Sequence, residues 1–220
     1  MVSKLSLPAG RQGCPVKNME LVVATKNQKK LKEIKAILSD LNLHISSLAD
    51  FSNTPGIIEN GKTFKENAIK KAVKIARFSG KLALGEDSGL CVDVLKGAPG
   101  IFSARFAGKG KSDMQNNLKL LRSLKKVPAQ KRKAYYSCAV ALADSKGLLG
   151  VVEGKCSGLI GFELKGKRGF GYDPLFIIPE YNKTFAQLGE RIKHKMSHRY
   201  HALKKTKVII KKYIEQEKSG

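Results

Sequence analysis

Short apolar runs alternate with amphipathic segments along most of this 220-residue chain, and that alternation restricts the folds open to it. The first run, residues 20–25 (ELVVAT), has the length and composition of a buried strand. Strands that alternate with helices in this way favour a mixed α/β fold. The apolar residues that recur at helical spacing after this strand, with lysines on the opposite face, are Leu31, Ile34, Ile37, Leu38 and Leu41.

Two pairs of polar residues predict where further helices begin. Thr63 and Glu66 have the spacing of a capping box, which predicts a helix from there to about residue 78. Ser112 and Gln115 have the same spacing and predict another helix. The apolar residues expected on one face of that helix are Met114, Leu118, Leu121 and Leu124.

From residue 82 onward, the sequence pattern predicts several strands and one more helix. Residues 82–84 form a short strand that runs directly into the sequence GEDSG. Two strand-rich runs, residues 134–143 and 148–160, are joined by DSKG and predict a hairpin. A final helix opens near Ser197. This order indicates a mixed α/β fold whose functional site lies in a cleft between two parts.

The chain is strongly basic, since 42 Lys and Arg residues against 18 Asp and Glu residues give a formal net charge of +24. A surplus of this size attracts polyanions, either nucleic acid or a phosphorylated small molecule. No segment combines a clean apolar face with a basic one, which argues against an acidic membrane as partner. No apolar run is long enough to span a bilayer. Residues 1–18 lack the apolar stretch of a secretory signal, so we expect a cytoplasmic protein.

Residues 1–18 have no periodic pattern and precede Met19 and the first strand, so we interpret them as an extension. We expect them to be poorly ordered, with one domain over residues 19–220. The four cysteines are widely scattered and form no CxxC pair. This spacing favours reduced, buried thiols over a zinc site or a disulfide framework.

Four polar clusters lie at predicted strand ends or helix starts. The first is ATKNQKK, where Thr25 and Asn27 are short and polar and Lys30 adds a charge at a helix start that can hold phosphate. An ordinary N-cap on a lysine-rich helix explains the same residues. The second cluster is Glu59 with the following helix, which contains Lys71. A glutamate in that place is also explained by the helix dipole.

The third cluster is GEDSG, which contains Glu86, Asp87 and Ser88. Two adjacent carboxylates suit the binding of a hard cation and the activation of water. A turn uses the same residue types. Leu90 and Val92 continue the apolar pattern, however, and charges between two buried runs need compensation by a metal or by cations. The functional interpretation is therefore favoured.

The fourth cluster combines the loop GFGYDP with Lys193, His198 and Arg199 further along the chain. An aromatic ring, a carboxylate and an arginine fork could hold a nucleobase by stacking and edge hydrogen bonds. A loop with one buried Phe and a helix cap gives the same pattern. His194 and His198 have the spacing of zinc ligands but lack the glutamate of an H-E-x-x-H motif and stand among basic residues, which disfavours zinc.

Together these clusters resemble the inosine triphosphate pyrophosphatase family, also called the Ham1-like or non-canonical purine NTP pyrophosphatases. The matching strings, in the family's order, are LVVATKNQKKLKEI, TFKENAIKKA, GEDSGLCVDVLKGAPGIFSARFAG, GFGYDPLF and SHRYHAL. The resemblance covers nearly all of the chain after Met19. It implies an elongated mixed β-sheet with flanking helices, two lobes around a central nucleotide-binding cleft, and a homodimer.

The resemblance also implies a reaction and a set of site residues. The reaction is the Mg²⁺-dependent hydrolysis of ITP, dITP or XTP to the nucleoside monophosphate and pyrophosphate. Glu59 and Asp87 would bind the metal, and Asp87 would be the base that activates water. The residues expected to bind the substrate are Thr25, Asn27, Lys30, Lys71, Ser88, Phe170, Gly171, Tyr172, Asp173, Lys193, His198 and Arg199.

Three positions depart from the family pattern. Lys26 and Lys29 stand where the family often has glycine, a change that would stiffen the phosphate-binding turn. Glu86 stands where many members have aspartate, and the extra methylene could shift the geometry of the metal site.

Two other functions stay open. The charge of +24 favours a nucleic-acid-binding protein, but most surplus lysines lie on helix faces away from the four clusters. No basic strand is interleaved with aromatic residues as in single-strand binders, so we expect at most weak, nonspecific nucleic-acid binding. The nearer alternative is a pyrophosphatase for another nucleotide, such as a modified pyrimidine.

Overall fold

The computed structural model describes residues 19–219, so the expectation of a poorly ordered extension at residues 1–18 lies outside the described residues. The mixed α/β fold is confirmed, with one seven-stranded sheet and flanking helices. The strands are β1 (Met19–Val23), β2 (Leu43–Ser47), β3 (Leu82–Val92), β4 (Lys133–Asp144), β5 (Gly147–Ile160), β6 (Phe176–Ile178) and β7 (Lys183–Thr184). The helices are α1 (Gln28–Ile37), α2 (Phe64–Ser79), α3 (Asp113–Ser123), α4 (Phe185–Leu188), α5 (Glu190–Met196) and α6 (His198–Ser219).

The sheet is parallel at one end and antiparallel at the other. Its strand order is β2-β1-β3-β4-β5-β6-β7, and β1 pairs in parallel with both β2 and β3. From β3 to β7 each successive pairing is antiparallel. The predicted hairpin is β4 and β5, which with β3 are 11 to 14 residues long. These three strands extend well beyond the parallel part of the sheet.

Three clusters of buried apolar side chains show how the long strands join two lobes. At the parallel end, one sheet face packs on α1 and α6 through residues such as Leu84, Ile34 and Leu203. The opposite face packs on α2 through small side chains such as Ala83 and Ala72. The third cluster surrounds the far ends of β3, β4 and β5, where α3 and β6 cover them. The two lobes therefore share three continuous strands.

The sequence GEDSG lies inside a strand, which corrects the prediction that the strand ends at residue 84. β3 is unbroken, and it pairs with β4 from Ala83 to Val92. Glu86 and Asp87 are buried within it. A strand can carry two such charges because cations from neighbouring helices compensate them.

The two glycines of GEDSG are explained by close packing rather than by a turn. A Cβ atom on Gly85 would lie 2.1 Å from the carbonyl oxygen of Ala68 and 2.5 Å from the backbone nitrogen of Ala72, both in α2. A Cβ atom on Gly89 would lie 2.4 Å from the Ser103 hydroxyl oxygen. Helix α2 therefore rests directly on the backbone of β3.

Both predicted helix starts are confirmed, but only one is a full capping box. At α3, Ser112 and Gln115 exchange both expected hydrogen bonds. At α2, the Thr63 hydroxyl accepts a hydrogen bond from the Glu66 N–H, while the Glu66 carboxylate accepts one from the N–H of Lys62. The start of α2 is therefore capped by Thr63, but the Glu66 carboxylate accepts from the N–H of Lys62 and not from that of Thr63.

The predicted apolar face of α3 is wrong for two of its residues. Met114 and Leu118 are exposed, whereas Leu124 is fully buried. The inward positions belong instead to Asn116 and Asn117, whose side chains bond the backbone of neighbouring loops. These two asparagines face inward because the partly buried backbone groups of the loops, the Ala107 N–H and the Gly171 carbonyl, need hydrogen-bond partners.

Three of the cysteines, Cys91, Cys138 and Cys156, are free and buried, as expected, and Cys14 lies outside the described residues. Burial raises the pKa of the Cys156 thiol to about 12, so this thiol stays protonated at neutral pH. Among the described helices, none combines the length and the apolar character needed to cross a bilayer.

Gly85→Ala should destabilise the protein by about 1–3 kcal/mol, because the added methyl group overlaps the backbone of α2. Gly56→Ala is the matched control, since a Cβ atom there has nothing within 4 Å and should change stability by less than about 0.5 kcal/mol. The measurement is urea unfolding of both variants. Equal unfolding midpoints would contradict the close contact between α2 and β3.

Candidate active site

A cavity of about 520 Å³ opens beside β3, just beyond the carboxyl end of β1. β1 pairs with β3 as far as Leu84, where the Ala24 N–H donates to the Leu84 carbonyl at 2.8 Å. From Gly85 onward none of the described strands lies against that edge of β3, so side chains from both of its faces can reach the cavity. Every residue to which the resemblance assigns a role lines this one space.

The turn after β1 is both a helix cap and a wall of the cavity. Asn27 is the N-cap of α1, and its side chain accepts hydrogen bonds from the N–H groups of Lys29 and Lys30 at 3.0 and 3.1 Å. The Thr25 hydroxyl accepts one from the Asn27 N–H at 3.1 Å. The Lys30 ammonium lies 2.8 Å from the Glu86 carboxylate. Asn27 is therefore a helix cap, as the alternative explanation held. The same turn also places Lys30 and the amino end of α1 at the cavity.

Glu86 and Asp87 point to opposite faces of the sheet, because side chains alternate along a strand. Glu86 meets Lys30 of α1 and Arg199 of α6, whereas Asp87 meets Lys71 of α2 at 3.4 Å. The two adjacent carboxylates therefore do not form one paired cation site, which corrects that interpretation of GEDSG. The Glu86 carboxylate pairs with the two cations Lys30 and Arg199. Asp87 instead shares Lys71 with Glu59, which is the other acid predicted to bind the metal.

Three oxygen atoms converge on the Lys71 ammonium. They are the carboxylate of Glu59 at 2.6 Å, the carboxylate of Asp87 at 3.4 Å and the carbonyl of Glu86 at 3.1 Å. Burial works against the charge of Lys71, but Asp87 and Glu59 outweigh it and hold the Lys71 pKa above its ordinary value. Oxygen donors of this kind are the ligands that hard divalent cations prefer.

The donor set fits a cation that takes only part of its ligands from the protein. Within residues 19–219, no cluster of three or more His, Cys, Asp and Glu side chains is arranged to hold a metal ion. Glu59 and Asp87 alone offer two carboxylates. Mg²⁺ is commonly bound by one or two carboxylates, with water and substrate phosphates as the remaining ligands.

Asn67 fixes the direction of the Asp87 carboxylate. Its side-chain nitrogen donates to Asp87 Oδ2 at 3.0 Å, and its side-chain oxygen accepts from the Gly61 N–H at 2.8 Å. Asn67 therefore ties Asp87 to the loop that carries Glu59. Burial raises the pKa of Asp87 above its ordinary value despite the nearby Lys71. A carboxylate with a raised pKa is a stronger base, provided that it stays ionised.

Arg199 is the centre of a buried group of charges behind the cavity. Only 1% of this residue is exposed. One terminal nitrogen donates to the carboxylate of Glu33 in α1. The other donates to Glu86 at 3.0 Å and to the Ser88 hydroxyl at 3.1 Å. A single side chain of α6 thus holds α1 and β3 in place.

Lys193 extends this group of charges to the loop GFGYDP. Its ammonium lies 2.8 Å from Glu33 and 2.6 Å from Asp173. Burial alone would raise the pKa values of Glu33 and Glu86, but their basic neighbours outweigh it and lower both, with Glu86 well below its ordinary range. These two carboxylates are therefore charged at neutral pH.

The other end of the cavity is aromatic. Lys193 and Arg199 lie 4.3 and 5.8 Å from the centre of the Phe170 ring. The His198 imidazole stacks on the ring of Tyr136, with 4.7 Å between their centres. Burial, helped by the nearby Arg199, holds the pKa of His198 well below its ordinary value, so the imidazole is neutral. A planar, uncharged ligand suits this environment better than a charged one.

The arginine fork expected to read a nucleobase is not free in this arrangement. Both terminal nitrogens of Arg199 are engaged by Glu33, Glu86 and Ser88. Two buried polar atoms at this end have no hydrogen-bond partner among the described residues, namely Arg199 Nε and His198 Nδ1. Arg199 Nε is therefore the one nitrogen of this guanidinium without a partner among the described residues, and the nitrogen that donates to both Glu86 and Ser88 has no N–H left for a nucleobase.

Three residues that the sequence did not single out complete the site: Glu33, Asn67 and Tyr136. Glu33 lies on the inner side of α1 beside Ile34 and Ile37, and Asn67 precedes the buried alanines of α2. The sequence signal that could have identified Glu33 and Asn67 is a polar residue at a helical position that faces the core. It could not be interpreted without the partner, which lies far away in the sequence.

The cavity is close to neutral although the chain is strongly basic. The six basic residues of its lining are Lys26, Lys30, Lys71, Arg105, Lys193 and Arg199, and the five acidic ones are Glu59, Glu86, Asp87, Asp113 and Asp173. The surplus positive charge of the described residues therefore lies outside this space. Of the two lysines that depart from the family pattern, Lys26 lines the cavity and Lys29 lies 6.0 Å from the centre of the Phe170 ring.

Comparison with known proteins links this chain to one family. Residues 21–209 match the model of the Ham1 family. A dITP/XTP pyrophosphatase of Desulforamulus reducens is 50% identical over 90% of this chain and 100% of the relative. A dITP/XTP pyrophosphatase of Exiguobacterium sibiricum is 46% identical over 89% and 99% of the two chains. The solved structure of a HAM1 protein from Coxiella burnetii matches with a TM-score of 0.80 at 37% identity, over 88% of this chain and 99% of that one.

Arg199→Met should cost about 3–5 kcal/mol of stability at pH 7, because it leaves Glu33 and Glu86 buried without their shared cation. In the natural protein the pKa of Glu33 is lowered, so its pairing stabilises the fold above the ordinary value of 4.5 and is lost as the pH falls. The penalty of the variant should therefore persist from pH 7 down to about 4.5 and shrink as the pH falls further, towards the lowered pKa of Glu33.

The matched control is Lys207→Met, which breaks the more exposed pair between Lys207 and Asp40 on the same helix. We expect a change of about 0–1 kcal/mol there. The measurement is denaturant unfolding of both variants at several pH values. A penalty for Arg199→Met that is as small as the control, or that does not depend on pH, would contradict the buried ionic network.

Proposed function

The chain belongs to the Ham1 family, and on that premise we propose that it hydrolyses non-canonical purine nucleoside triphosphates to the nucleoside monophosphate and pyrophosphate. The substrates are ITP, dITP and XTP. The relatives named dITP/XTP pyrophosphatase support this reaction. The observation that carries it is one cavity with a carboxylate–lysine cluster at one end and a buried aromatic wall at the other.

At the phosphate end, Asp87 is the general base. It accepts a proton from the water that attacks the α-phosphorus, the bond from that phosphorus to the bridging oxygen of the β-phosphate breaks, and pyrophosphate leaves. Asn67 holds the Asp87 carboxylate in one orientation for this transfer. Lys30, Lys71 and the amino end of α1 bind the phosphate oxygens, with the turn at Thr25 and Asn27 and the Ser88 hydroxyl as further contacts.

A divalent cation is part of the proposal because the cavity is nearly neutral by itself. A triphosphate brings about four negative charges, and three of the four lysines that line the cavity, Lys30, Lys71 and Lys193, are already paired with carboxylates of the protein. We propose that Glu59 and Asp87 hold Mg²⁺ between them. When bound, Mg²⁺ neutralises charge on the phosphates and lowers the pKa of a bound water.

At the nucleoside end, the base lies against the aromatic wall. A 6-oxo purine offers acceptors at O6 and N7, and Arg199 Nε has a hydrogen to donate. We assign this donor to O6, because N7 is an acceptor in adenine as well; the amino group of adenine at position 6 would leave the buried donor unpaired. Phe170, Tyr172 and Asp173 with Lys193 and His198 complete the contacts on this side.

Two further expectations stay predictions. These are the homodimer, which the family resemblance implies, and the cytoplasmic location, which was expected from the sequence of residues 1–18. The net charge of +24 lies mainly outside the cavity, so nucleic-acid binding would be a weak, salt-sensitive side effect.

Purified protein with Mg²⁺ should convert ITP to IMP and pyrophosphate in equal amounts, because the proposal assigns Asp87 and the lysines around it to the α-phosphate. Chromatography of the products with a coupled assay for pyrophosphate measures this. IDP and inorganic phosphate as first products would overturn the mechanism. A panel with ATP, GTP and modified pyrimidine triphosphates decides between this substrate class and the nearest alternative.

Asp87→Asn should lower kcat by about 10²–10⁴-fold, because it keeps the size of the side chain but removes the base. The change should also weaken Mg²⁺ binding in calorimetry without nucleotide, as should Glu59→Gln. Asp93→Asn is the control at an exposed aspartate beyond the end of β3, and it should change neither quantity.

Glu86→Gln provides the contrast, since Glu86 points to the other face and pairs with Lys30 and Arg199. It should lower the melting temperature more than Asp87→Asn does, while retaining more turnover per folded molecule. Near-normal turnover in Asp87→Asn, or a greater loss of turnover in Glu86→Gln, would show that the base is assigned to the wrong acid.

A further inference from the structure

The two polar backbone groups of Gly171, in the middle of the loop GFGYDP, are both bonded by side chains from the first turns of α3. The Gly171 N–H donates to the Asp113 carboxylate at 2.8 Å. The Gly171 carbonyl accepts from the side-chain nitrogen of Asn117, also at 2.8 Å. Asn117 is 3% exposed and donates to the carbonyl of Asp113 as well. We call this pair of contacts the Gly171 clamp.

The clamp is built on a helix that is itself firmly held. Leu120 and Leu124 of α3 are fully buried in the core of the second lobe. At its carboxyl end, the buried Arg132 donates to the carbonyls of Leu124 and Gly161 at 2.7 Å each. Because the second half of α3 is fixed in this core, the position of the core determines where the clamp holds the loop.

Gly171 is the position at which the loop needs this restraint. Its φ of +60° lies in the left-handed region, and a Cβ atom there would have nothing within 4 Å, so side-chain packing does not hold it. Its neighbours are Phe170 and Tyr172, which line the cavity. The Tyr172 hydroxyl donates to the carbonyl of Ser103 at 2.9 Å, so the loop is held on a second side.

We propose that Asp113 and Asn117 are positioning residues for base recognition, which set the place of Phe170 and Tyr172 through the backbone of Gly171. They act through the loop and do not take part in the chemical step. The inference rests on the proposed function, because it assigns the loop to the nucleobase. Misplacing a recognition surface weakens the correct substrate more than a poor one, since only the correct substrate uses those contacts.

A purely structural role for the clamp makes a different prediction. If Asp113 and Asn117 only stabilised the fold, their loss would lower kcat/KM for all nucleotides by the same factor. The informative quantity is therefore the ratio of kcat/KM for ITP to that for ATP, which does not depend on the fraction of folded protein.

The test compares Asp113→Ala, Asn117→Ala and Asp113→Asn with Ser112→Ala in the full chain. Ser112→Ala breaks the cap of the same helix without touching the loop, so it is the control for stability. Asp113→Ala and Asn117→Ala should each lower the ITP-to-ATP ratio by about tenfold, through a higher KM for ITP, while Ser112→Ala leaves the ratio unchanged. Asp113→Asn keeps an oxygen for the Gly171 N–H and should restore the natural ratio.

The result that overturns the proposal is an unchanged ratio in both alanine variants, or an equal fall in Ser112→Ala. Failure of Asp113→Asn to restore the ratio would also overturn it, because the Asp113 charge and not the bond to Gly171 would then matter. If Asn117→Ala does not fold, Asp113→Ala carries the same test, since the Asp113 side chain is exposed.

Failure of the proposed function would appear separately, in the natural protein. Absence of pyrophosphate release from ITP, or a ratio near one, would overturn the proposed function and leave the clamp to be tested by binding alone. The probe is then IMP in calorimetry. Its Kd should rise in Asn117→Ala and stay unchanged in Ser112→Ala, and equal values in both variants would overturn the clamp as well.

Discussion

The buried guanidinium of Arg199 is the interaction on which the rest of the structure depends. It joins α6 to Glu33 in α1 and to Glu86 in β3, and each of these three elements contributes a wall of the cavity. Buried charges of this kind contribute little net stability when complete but are costly to break. Their effect here is geometric, because Lys30 and Lys193 pair with the same two carboxylates and are thereby aimed at the cavity.

A second constraint is the alternation of side chains along β3. Because Glu86 and Asp87 face opposite sides, one acid is committed to the ionic core and the other to the cluster of Lys71 and Glu59. A turn at GEDSG would have left both acids in solvent. The absence of a side chain at Gly85 lets α2 approach the strand, and that approach brings Lys71 and Asn67 within reach of Asp87.

The nucleoside end is assembled from segments that are distant in sequence. Gly171 is held by α3, Tyr172 by the carbonyl of Ser103, and Asp173 by Lys193 of α5. The loop therefore has little freedom despite its two glycines. A pocket whose walls are fixed before the ligand arrives discriminates through the polar atoms it leaves unpaired, and here those are Arg199 Nε and His198 Nδ1.

The sequence by itself determined the elements and their order, because strand and helix periodicity, N-caps and the long motif strings are local signals. Through the resemblance carried by those strings it also named a set of site residues, all of which line the one cavity, although Tyr136 of that lining was missed. It did not determine that β3 continues through GEDSG, that Asn116 and Asn117 turn inward, or that the Arg199 fork is already occupied. Several of these features depend on distant partners, since Gly171 lies 54 residues from Asn117 and Glu33 lies 166 residues from Arg199. Only the tertiary structure decides such pairings, because the energy of a buried charge or amide depends on which group faces it and not on its neighbours in the chain.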